Sequence, residues 1–205
     1  MEPEGPTRGR FLVIEGADGV GKTTQVEMVG QAIGALGRQV IVTREPGGTA
    51  LGEAIRGLLA AEGQIDPMAE AMLMSAARAQ HCAHVIAPAL AAGAWVVCDR
   101  FSGSFLAYQG YGRGMPRAQL DALVEMATAG LRPDAVVLLE AARPWRSLAE
   151  EDRFEGLGRE FQERVRRGYS ELAEKLGWLR IDALGSPEQV TVRIMESLAS
   201  AGLAP

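Results

Sequence analysis

Residues that build covalent cross-links or metal centres are scarce in this sequence, which has two cysteines and two histidines among 205 residues. Cys82 and Cys98 form neither a disulfide framework nor a metal-binding cluster, and a reducing compartment is the simplest interpretation. No run of about 18 uncharged apolar residues occurs, and the best candidate, 85–98, is interrupted by Pro88 and Gly93. The first residues also lack the basic start and apolar stretch of a signal peptide. We therefore expect a cytoplasmic protein.

Positive charge is not in excess either, because the formal net charge is −5 and the sequence pI is about 5.2. Nucleic-acid-binding domains usually carry a net basic face, so we expect neither a nucleic-acid nor a membrane partner. Hydrophobic residues make up 47% of the chain and charged residues 23%, as in ordinary globular proteins. The length predicts one domain over residues 10–205, after a disordered tail at 1–9 that is rich in Pro and Gly.

Short apolar, β-branched runs alternate with longer helical patterns along the chain. The runs predict strands, buried on both faces, at Phe11–Ile14, Val40–Val42, Trp95–Cys98, Ala135–Leu139 and Trp178–Ile181. Helical patterns cover roughly 21–36, 49–61, 67–92, 116–129, 157–176 and 187–201. This alternation predicts an α/β protein, a three-layer α/β/α fold whose five-stranded parallel sheet is flanked by helices.

A glycine-rich segment directly follows the first predicted strand. Residues 16–23 match G-x-x-x-x-G-K-[ST] between a strand and a helix, the context that the P-loop motif requires. Gly16, Gly19 and Gly21 let successive N–H groups point at one phosphate, and the helix N-terminus adds a positive dipole. Lys22 can then reach the β- and γ-phosphates. The predicted ATP-binding residues of this P-loop fold are Gly16, Ala17, Asp18, Gly19, Val20, Gly21, Lys22, Thr23 and Thr24.

Asp99 and Arg100 follow the third predicted strand, at the end of the sheet where ligands of open α/β folds bind. Asp99 and the hydroxyl of Thr23 are predicted to hold Mg²⁺, either directly or through a water. The sequence contains no Asn, so it lacks the Asn-Lys-x-Asp motif with which GTPases recognise guanine, and this argues against a GTPase. Arg100 stands where a hydrolytic ATPase would carry a water-positioning Glu or Gln, which favours a second, anionic substrate. A phosphate-monoester acceptor is ionised near neutral pH, with a second pKa of about 6, and needs no catalytic base.

Six blocks of the sequence together resemble one family, the thymidylate kinases. Three of them are specific to it: the block that begins Thr43-Arg-Glu-Pro-Gly-Gly48, and the pair formed by Asp99-Arg-Phe101 and Ala107-Tyr-Gln-Gly110. All blocks occur in the family's order, at 14–25, 43–49, 76–80, 98–101, 107–110 and 152–155. The resemblance implies phosphoryl transfer from ATP to dTMP with Mg²⁺, giving dTDP and ADP for dTTP supply, and a homodimer.

The resemblance also implies roles for individual residues. Arg100 and Arg56 would bind the acceptor phosphate, while Asp18 and Glu45 would lie near the sugar 3′-hydroxyl and the magnesium. Arg78 and Gln109 would hydrogen-bond the thymine edge. The expected catalytic residues are Lys22, Arg100, Arg153 and Asp18, and the expected dTMP-binding residues are Asp18, Glu45, Arg56, Met74, Arg78, Arg100, Ser104, Phe105 and Gln109.

Two positions depart from the family pattern. Met74 stands four residues before Arg78, where the family places a Phe that stacks on thymine; a polarizable thioether at this spacing can still cover a ring. Phe105 replaces a small hydroxyl residue after Ser104, and would either supply aromatic surface or shrink the base pocket. One methyl group in a hydrophobic pocket changes the free energy of discrimination by about 1–3 kcal/mol. Met74 and Phe105 are therefore expected to influence the selectivity between dTMP and dUMP.

A charged segment at about 141–160 predicts a short mobile lid, because few apolar residues anchor it. Some family members carry an Arg in the P-loop, where this chain has Gly19, and the alternative arrangement takes the transition-state cation from the lid. Arg153 is the first candidate, followed by Arg143 and Arg146; the spacing of Arg146 also matches the family Arg that packs on the donor adenine.

The expected function is phosphorylation of dTMP by ATP, and two alternatives are kept beside it. The first alternative is a kinase of another pyrimidine monophosphate such as dUMP. The second is a P-loop ATPase or nucleotide-binding regulator that has no acceptor kinase activity.

Overall fold

The computed structural model describes residues 8–61, 64–141 and 158–205. Its strands are β1 (Phe11–Glu15), β2 (Val40–Arg44), β3 (Trp95–Asp99), β4 (Ala135–Glu140) and β5 (Leu179–Asp182). Its α-helices are α1 (Lys22–Ala35), α2 (Ala50–Ala60), α3 (Pro67–His81), α4 (Ala87–Ala91), α5 (Ser102–Phe105), α6 (Arg117–Thr128), α7 (Arg159–Leu176) and α8 (Pro187–Ser200). Two π-helical turns, Cys82–Ile86 and Leu106–Gly112, continue α3 and α5.

The strands form one parallel sheet in the order β2-β3-β1-β4-β5. β1 is central, and its residue Ile14 is in register with Asp99 of β3. The connection after β1 runs toward β2 and the connection after β3 runs toward β4, so the two leave the sheet in opposite directions. Such a reversal opens a crevice at the carboxyl ends of the strands, where ligands of open α/β sheets bind.

Alternation along the strands divides the core into layers on the two faces of the sheet. Leu12 and Ile14 pack with Val26 and Val29 of α1 and with Ile194 of α8. The intervening β1 residues, Phe11 and Val13, join a second cluster with side chains of the Cys82–Ile86 turn and α4. A third cluster joins the Leu106–Gly112 turn to α6 and α7. Successive strand residues point to opposite faces, so one central strand supports helices on both sides.

The fold confirms the predicted five-stranded α/β/α architecture and corrects details of it. β2 is not buried on both faces, since it lies at the edge of the sheet and three of its five residues are partly buried while two are exposed. The helix predicted at 67–92 is interrupted by the Cys82–Ile86 turn. The helical segment from Ser102 to Gly112 was not predicted, because its small residues and glycines resemble a loop.

Part of the predicted organisation lies outside the described residues. This holds for tail residues 1–7 and for residues 142–157 of the predicted lid, which include Arg143, Arg146 and Arg153. The single domain over 10–205 stays a prediction. Within the described ranges, no helix combines the length and the apolar character needed to cross a bilayer.

Candidate active site

The P-loop leaves the buried end of β1 and leads into α1. Gly21, the residue before α1, has a φ of 93°, in the left-handed region that favours glycine. At Gly16 a Cβ would lie 2.8 Å from the carbonyl oxygen of Leu139, so the strand end leaves no room for a side chain. The side chain of Val20 is buried in the core cluster that includes Val26 and Val29 of α1, which anchors the loop. The local sequence thus produces a tight glycine-rich turn between β1 and α1, at the position of the motif.

Lys22 lies within this loop with little exposure. Its Nζ donates to the carbonyl oxygen of Ala17 at 2.7 Å and lies 3.9 Å from Oδ1 of Asp18. Burial lowers the pKa of Lys22 to about 8, and the charge of Arg100 acts in the same direction. Asp18 and Asp99 oppose the shift without cancelling it. An incoming phosphate would supply the negative charge that favours the ammonium form.

Thr23 and Asp99 meet where the P-loop faces the end of β3. The Thr23 hydroxyl donates to Oδ2 of Asp99 at 2.8 Å. The other carboxylate oxygen, Oδ1, is buried and has no hydrogen-bond partner in the described part of the chain. A buried, unpartnered carboxylate oxygen beside a hydroxyl is a donor set that suits a hard cation such as Mg²⁺. The described ranges contain no group of three or more His, Cys, Asp or Glu side chains that could hold a metal alone.

Arg100 bridges the two sides of the crevice. It has a φ of 67°, unusual for a residue with a side chain, so the backbone turns sharply after β3. One terminal nitrogen, Nη2, donates to Asp18 of the P-loop, and Nη1 donates to Ser104 and Tyr169, each at 3.1 Å. Asp18 also accepts a hydrogen bond from the Tyr108 hydroxyl. Burial alone would raise the pKa of Asp18, but Arg100 and Lys22 outweigh it and lower that pKa.

Glu15 anchors the segment that carries Arg100 and Ser104. This last residue of β1 is completely buried and accepts hydrogen bonds from the backbone N–H groups of Phe101 and Ser104, each at 3.0 Å. The Ser104 hydroxyl donates to it as well. Burial raises the pKa of Glu15, although these hydrogen bonds and Arg100 favour its charged form. A Cβ at Gly103 would lie 2.6 Å from Oε1 of Glu15, so the close approach requires glycine there.

Arg78 and Glu45 form a buried ion pair on the other side of the crevice. Both side chains are 4% exposed, and Nε of Arg78 lies 2.7 Å from Oε2 of Glu45. The second Glu45 oxygen contacts Nδ1 of His81 at 3.0 Å, and the Nε2 of that histidine lies 2.7 Å from the Thr43 hydroxyl. Both Glu45 oxygens are therefore engaged within the protein.

Aromatic rings hold the Arg78 guanidinium in place. Its central carbon lies 5.3 Å from the ring centroid of Phe101 and 5.1 Å from that of Phe105. Nη2 donates to the carbonyl oxygen of Phe101 at 3.2 Å, whereas Nη1 is buried and unpartnered within the described ranges. Phe105 is 2% exposed, so its ring supports Arg78 from the core. One donor of Arg78 therefore remains available for a ligand.

Gln109 contacts the same helix face as Arg78. Its Nε2 donates to Oε1 of Glu70 at 2.7 Å and contacts the sulfur of Met74 at 3.6 Å. Its Oε1 is buried and has no partner in the part of the chain that the structure describes. Met74, one helical turn before Arg78, is only partly buried. The structure thus brings Met74, Arg78 and Gln109 together, with one donor and one acceptor that have no partner among the described residues.

Arg56 is the predicted residue with the weakest attachment to this site. It is exposed on α2 and donates to the carbonyl oxygen of Pro46 at 3.2 Å. That bond places it beside the Glu45-Pro46-Gly47 segment. The exposed side chain is therefore free to turn toward a ligand.

Sequence reasoning missed several residues that hold the site in place. Glu15, Glu70 and His81 are buried polar side chains, and Tyr169 on α7 reaches Arg100 from a distant part of the chain. A charged residue in an otherwise apolar strand is the signal that could have identified Glu15. Glu70 and Tyr169 lie in ordinary helical patterns and carry no comparable signal.

A parallel sheet with a P-loop after its central strand, and an Asp-Arg pair facing that loop, defines a P-loop nucleotide kinase. A family model described as thymidylate kinase matches residues 14–194. The chain therefore belongs to the thymidylate kinase family.

Similar proteins cover nearly the whole chain. It is 48% identical over 195 residues to a thymidylate kinase of Synechococcus sp. strain RCC307, covering 89% of this chain and 92% of that protein. It is 47% identical over 206 residues to one from Cereibacter sphaeroides strain ATCC 17029, covering 94% of this chain and 95% of that protein. The crystal structure of thymidylate kinase from Ehrlichia chaffeensis is similar with a TM-score of 0.80 and 29% identity, covering 93% and 99% of the two chains.

Proposed function

We propose that this chain transfers the γ-phosphoryl group of ATP to the phosphate of dTMP, giving dTDP and ADP. Its family membership and its similarity to thymidylate kinases along nearly their full length support this activity. One structural observation carries the proposal: Arg100, a cation suited to an acceptor phosphate, contacts Asp18 of the donor P-loop across the crevice. Two phosphorylated substrates bound at these positions would face each other.

The reaction forms a bond between an acceptor phosphate oxygen and the γ-phosphorus, and it breaks the bond from that phosphorus to the β,γ-bridging oxygen. A phosphate monoester is ionised near neutral pH, with a second pKa of about 6, so no base has to remove a proton. The backbone N–H groups of the P-loop and Lys22 would bind the donor phosphates. Arg100 and Arg56 would bind the acceptor phosphate, with Arg100 exchanging its bond to Asp18 for a phosphate oxygen.

Mg²⁺ would be held by Thr23 and Asp99 together with the phosphates and water. The unpartnered Oδ1 of Asp99 supports this assignment, since a magnesium site in a kinase commonly uses one or two protein oxygens. When bound, the ion neutralises charge on the transferring phosphoryl group. Asp18 and Glu45 would lie near the sugar 3′-hydroxyl; because both Glu45 oxygens are engaged, Glu45 would act there through Arg78.

The base would be recognised by the two buried polar atoms that have no partner in the described ranges. Nη1 of Arg78 can donate to a thymine carbonyl oxygen, and Oε1 of Gln109 can accept from the thymine N3–H. Gln109 is fully buried, so neighbouring side chains would have to move for a base to reach its Oε1; the flexible side chain of Met74, which contacts the amide nitrogen, adapts easily. Met74 would then cover the ring in place of an aromatic residue.

Four further proposals rest on the sequence and its resemblance to the family. Arg153 would supply the transition-state cation, with Arg143 and Arg146 as the alternatives and Arg146 beside the adenine; all three lie outside the described residues. The chain would act as a cytoplasmic homodimer.

The test is release of ADP from ATP with and without dTMP, combined with chromatographic identification of the product. We expect ADP release to depend on dTMP and to match dTDP formation one for one. Arg100→Met should lower kcat/KM for dTMP at least about a hundredfold, because it removes a charged phosphate contact. ATP hydrolysis without an acceptor and without dTDP would contradict the proposal and favour a P-loop ATPase.

A further inference from the structure

We propose that Glu70 and Arg113 are positioning residues that lock the side-chain amide of Gln109 in one orientation. In that orientation only its carbonyl oxygen faces the base, so the pair sets the preference for thymine and uracil over cytosine. This inference rests on the proposed function, because it assigns a role to residues around the same base site.

Glu70 lies in α3 and is completely buried. Arg113 binds it through two hydrogen bonds of 2.8 Å, from Nε to Oε1 and from Nη2 to Oε2. This bidentate geometry compensates the charge of a carboxylate that would otherwise be costly to bury. It also fixes the plane of the carboxylate, and therefore the direction in which Oε1 faces Gln109.

Gln109 and Arg113 are held in the same short segment of backbone. Gln109 belongs to the Leu106–Gly112 π-helical turn, and Arg113 follows it directly. The Arg113 N–H donates to the carbonyl oxygen of Tyr108 at 2.9 Å, and the Met115 N–H donates to that of Gln109 at 3.0 Å. The segment therefore presents both side chains to α3 in a fixed relation, an arrangement often found where π-helical turns serve functional sites.

The amide nitrogen of Gln109 contacts a Glu70 oxygen and the Met74 sulfur, and both of these atoms are hydrogen-bond acceptors. A carboxylate accepts hydrogen bonds and has none to donate, and a thioether sulfur is a weak acceptor. Rotating the amide by 180° would place its carbonyl oxygen against Oε1 of Glu70, two acceptors in contact in a buried environment. Glu70 therefore excludes the flipped amide, and Oε1 of Gln109 remains as an acceptor.

The fixed orientation of the Gln109 amide determines which pyrimidine base fits the site. Thymine and uracil carry a hydrogen on N3, whereas the N3 of cytosine is an acceptor. A glutamine free to flip could satisfy either kind of base, because its amide offers a donor and an acceptor. A locked glutamine meets cytosine with an acceptor against an acceptor. Building a mismatch against a competitor is a common source of specificity.

The test compares the dissociation constants of dTMP, dUMP and dCMP for the wild-type protein and for Glu70→Gln, measured by isothermal titration calorimetry. In Glu70→Gln, residue 70 can donate or accept, so Gln109 can flip. We expect the preference for dTMP over dCMP to fall at least about tenfold, the value of one buried hydrogen bond made or lost. The preference for dTMP over dUMP should stay within about twofold, because these bases share the same N3–H.

Two further variants complete the experiment. Glu125→Gln removes an exposed, salt-bridged carboxylate from α6 and should leave both preferences unchanged. Arg113→Lys keeps the charge but loses the bidentate contact, and should reduce the dTMP over dCMP preference in the same direction by a smaller factor. If circular dichroism shows that Glu70→Gln does not fold, Arg113→Lys alone tests the inference. The same two affinity ratios, dTMP over dCMP and dTMP over dUMP, are then compared between this variant and the wild-type protein.

A merely structural role predicts a different result. Loss of packing would weaken all three ligands together and leave the dTMP over dCMP ratio unchanged, and that outcome would overturn the inference. Wild-type protein that fails to phosphorylate dTMP would contradict the proposed function and remove the basis of the inference. Wild-type protein that phosphorylates dTMP, with unchanged ratios in the variants, would contradict the inference alone.

Discussion

The ATP affinity of this protein should depend on pH through Lys22. Burial lowers the pKa of Lys22 to about 8 in the ligand-free protein, with a further contribution from Arg100. A bound triphosphate would favour the ammonium form and raise that pKa again. Full ATP affinity is therefore expected below pH 8, and affinity should decline as the pH rises through 8, because binding must then take up a proton.

The size of the effect follows from the titration of one group. About nine-tenths of the free protein carries a charged Lys22 at pH 7, and about one-tenth at pH 9, for a pKa of about 8. The dissociation constant for ATP should therefore increase about tenfold between these pH values, which corresponds to about 1.4 kcal/mol. Cys82 should not contribute, since burial raises the pKa of its thiol to about 12.

Isothermal titration calorimetry at pH 7.0, 8.5 and 9.0 measures this directly. Titrations at pH 8.5 in two buffers of different ionisation enthalpy should show uptake of about 0.8 proton per ATP bound, as a pKa of about 8 requires. Lys22→Gln is the matched control, with weaker binding that does not change over this range. An ATP affinity that is constant from pH 7 to pH 9, without proton uptake at pH 8.5, would refute the assignment.

Three substitutions test other parts of the site. Arg78→Met should lower the free energy of unfolding in urea by about 3–5 kcal/mol, because it leaves Glu45 buried without its cation; a loss below about 1 kcal/mol would show that this ion pair does not stabilise the fold. Asp99→Asn should raise the Mg²⁺ concentration for half-maximal rate about 10- to 100-fold, and an unchanged magnesium titration would argue against the metal assignment. Arg153→Ala should reduce kcat about a thousandfold with the KM for dTMP nearly unchanged; if kcat barely changes, another lid arginine is the catalytic cation.

The sequence was sufficient for the sheet and the phosphate loop because both depend on local patterns. β-branched runs such as Trp95–Cys98 predict buried strands, and residues 16–23 match a motif of fixed spacing. The family blocks also indicated that Met74, Arg78 and Gln109 share one site, and the structure brings them together. These features needed no knowledge of long-range contacts.

The buried polar network could not be predicted in the same way. Glu15, Glu45 and Glu70 find their partners 89, 33 and 43 residues away in sequence, at Ser104, Arg78 and Arg113. No local pattern specifies such pairings, since the same residue types usually lie on solvated surfaces. The π-helical turn at Leu106–Gly112 was missed for a related reason: tertiary packing against α7, and not intrinsic helix propensity, stabilises it.

The most direct test of the account is the rate of ADP release with a panel of monophosphates as acceptors. The highest kcat/KM is expected with dTMP, followed by dUMP, which lacks only the methyl group, whereas dCMP should be turned over poorly. The product with dTMP should be dTDP. Turnover of dUMP equal to or better than that of dTMP, or ATP hydrolysis that needs no acceptor, would contradict the assignment of this chain as a dTMP kinase.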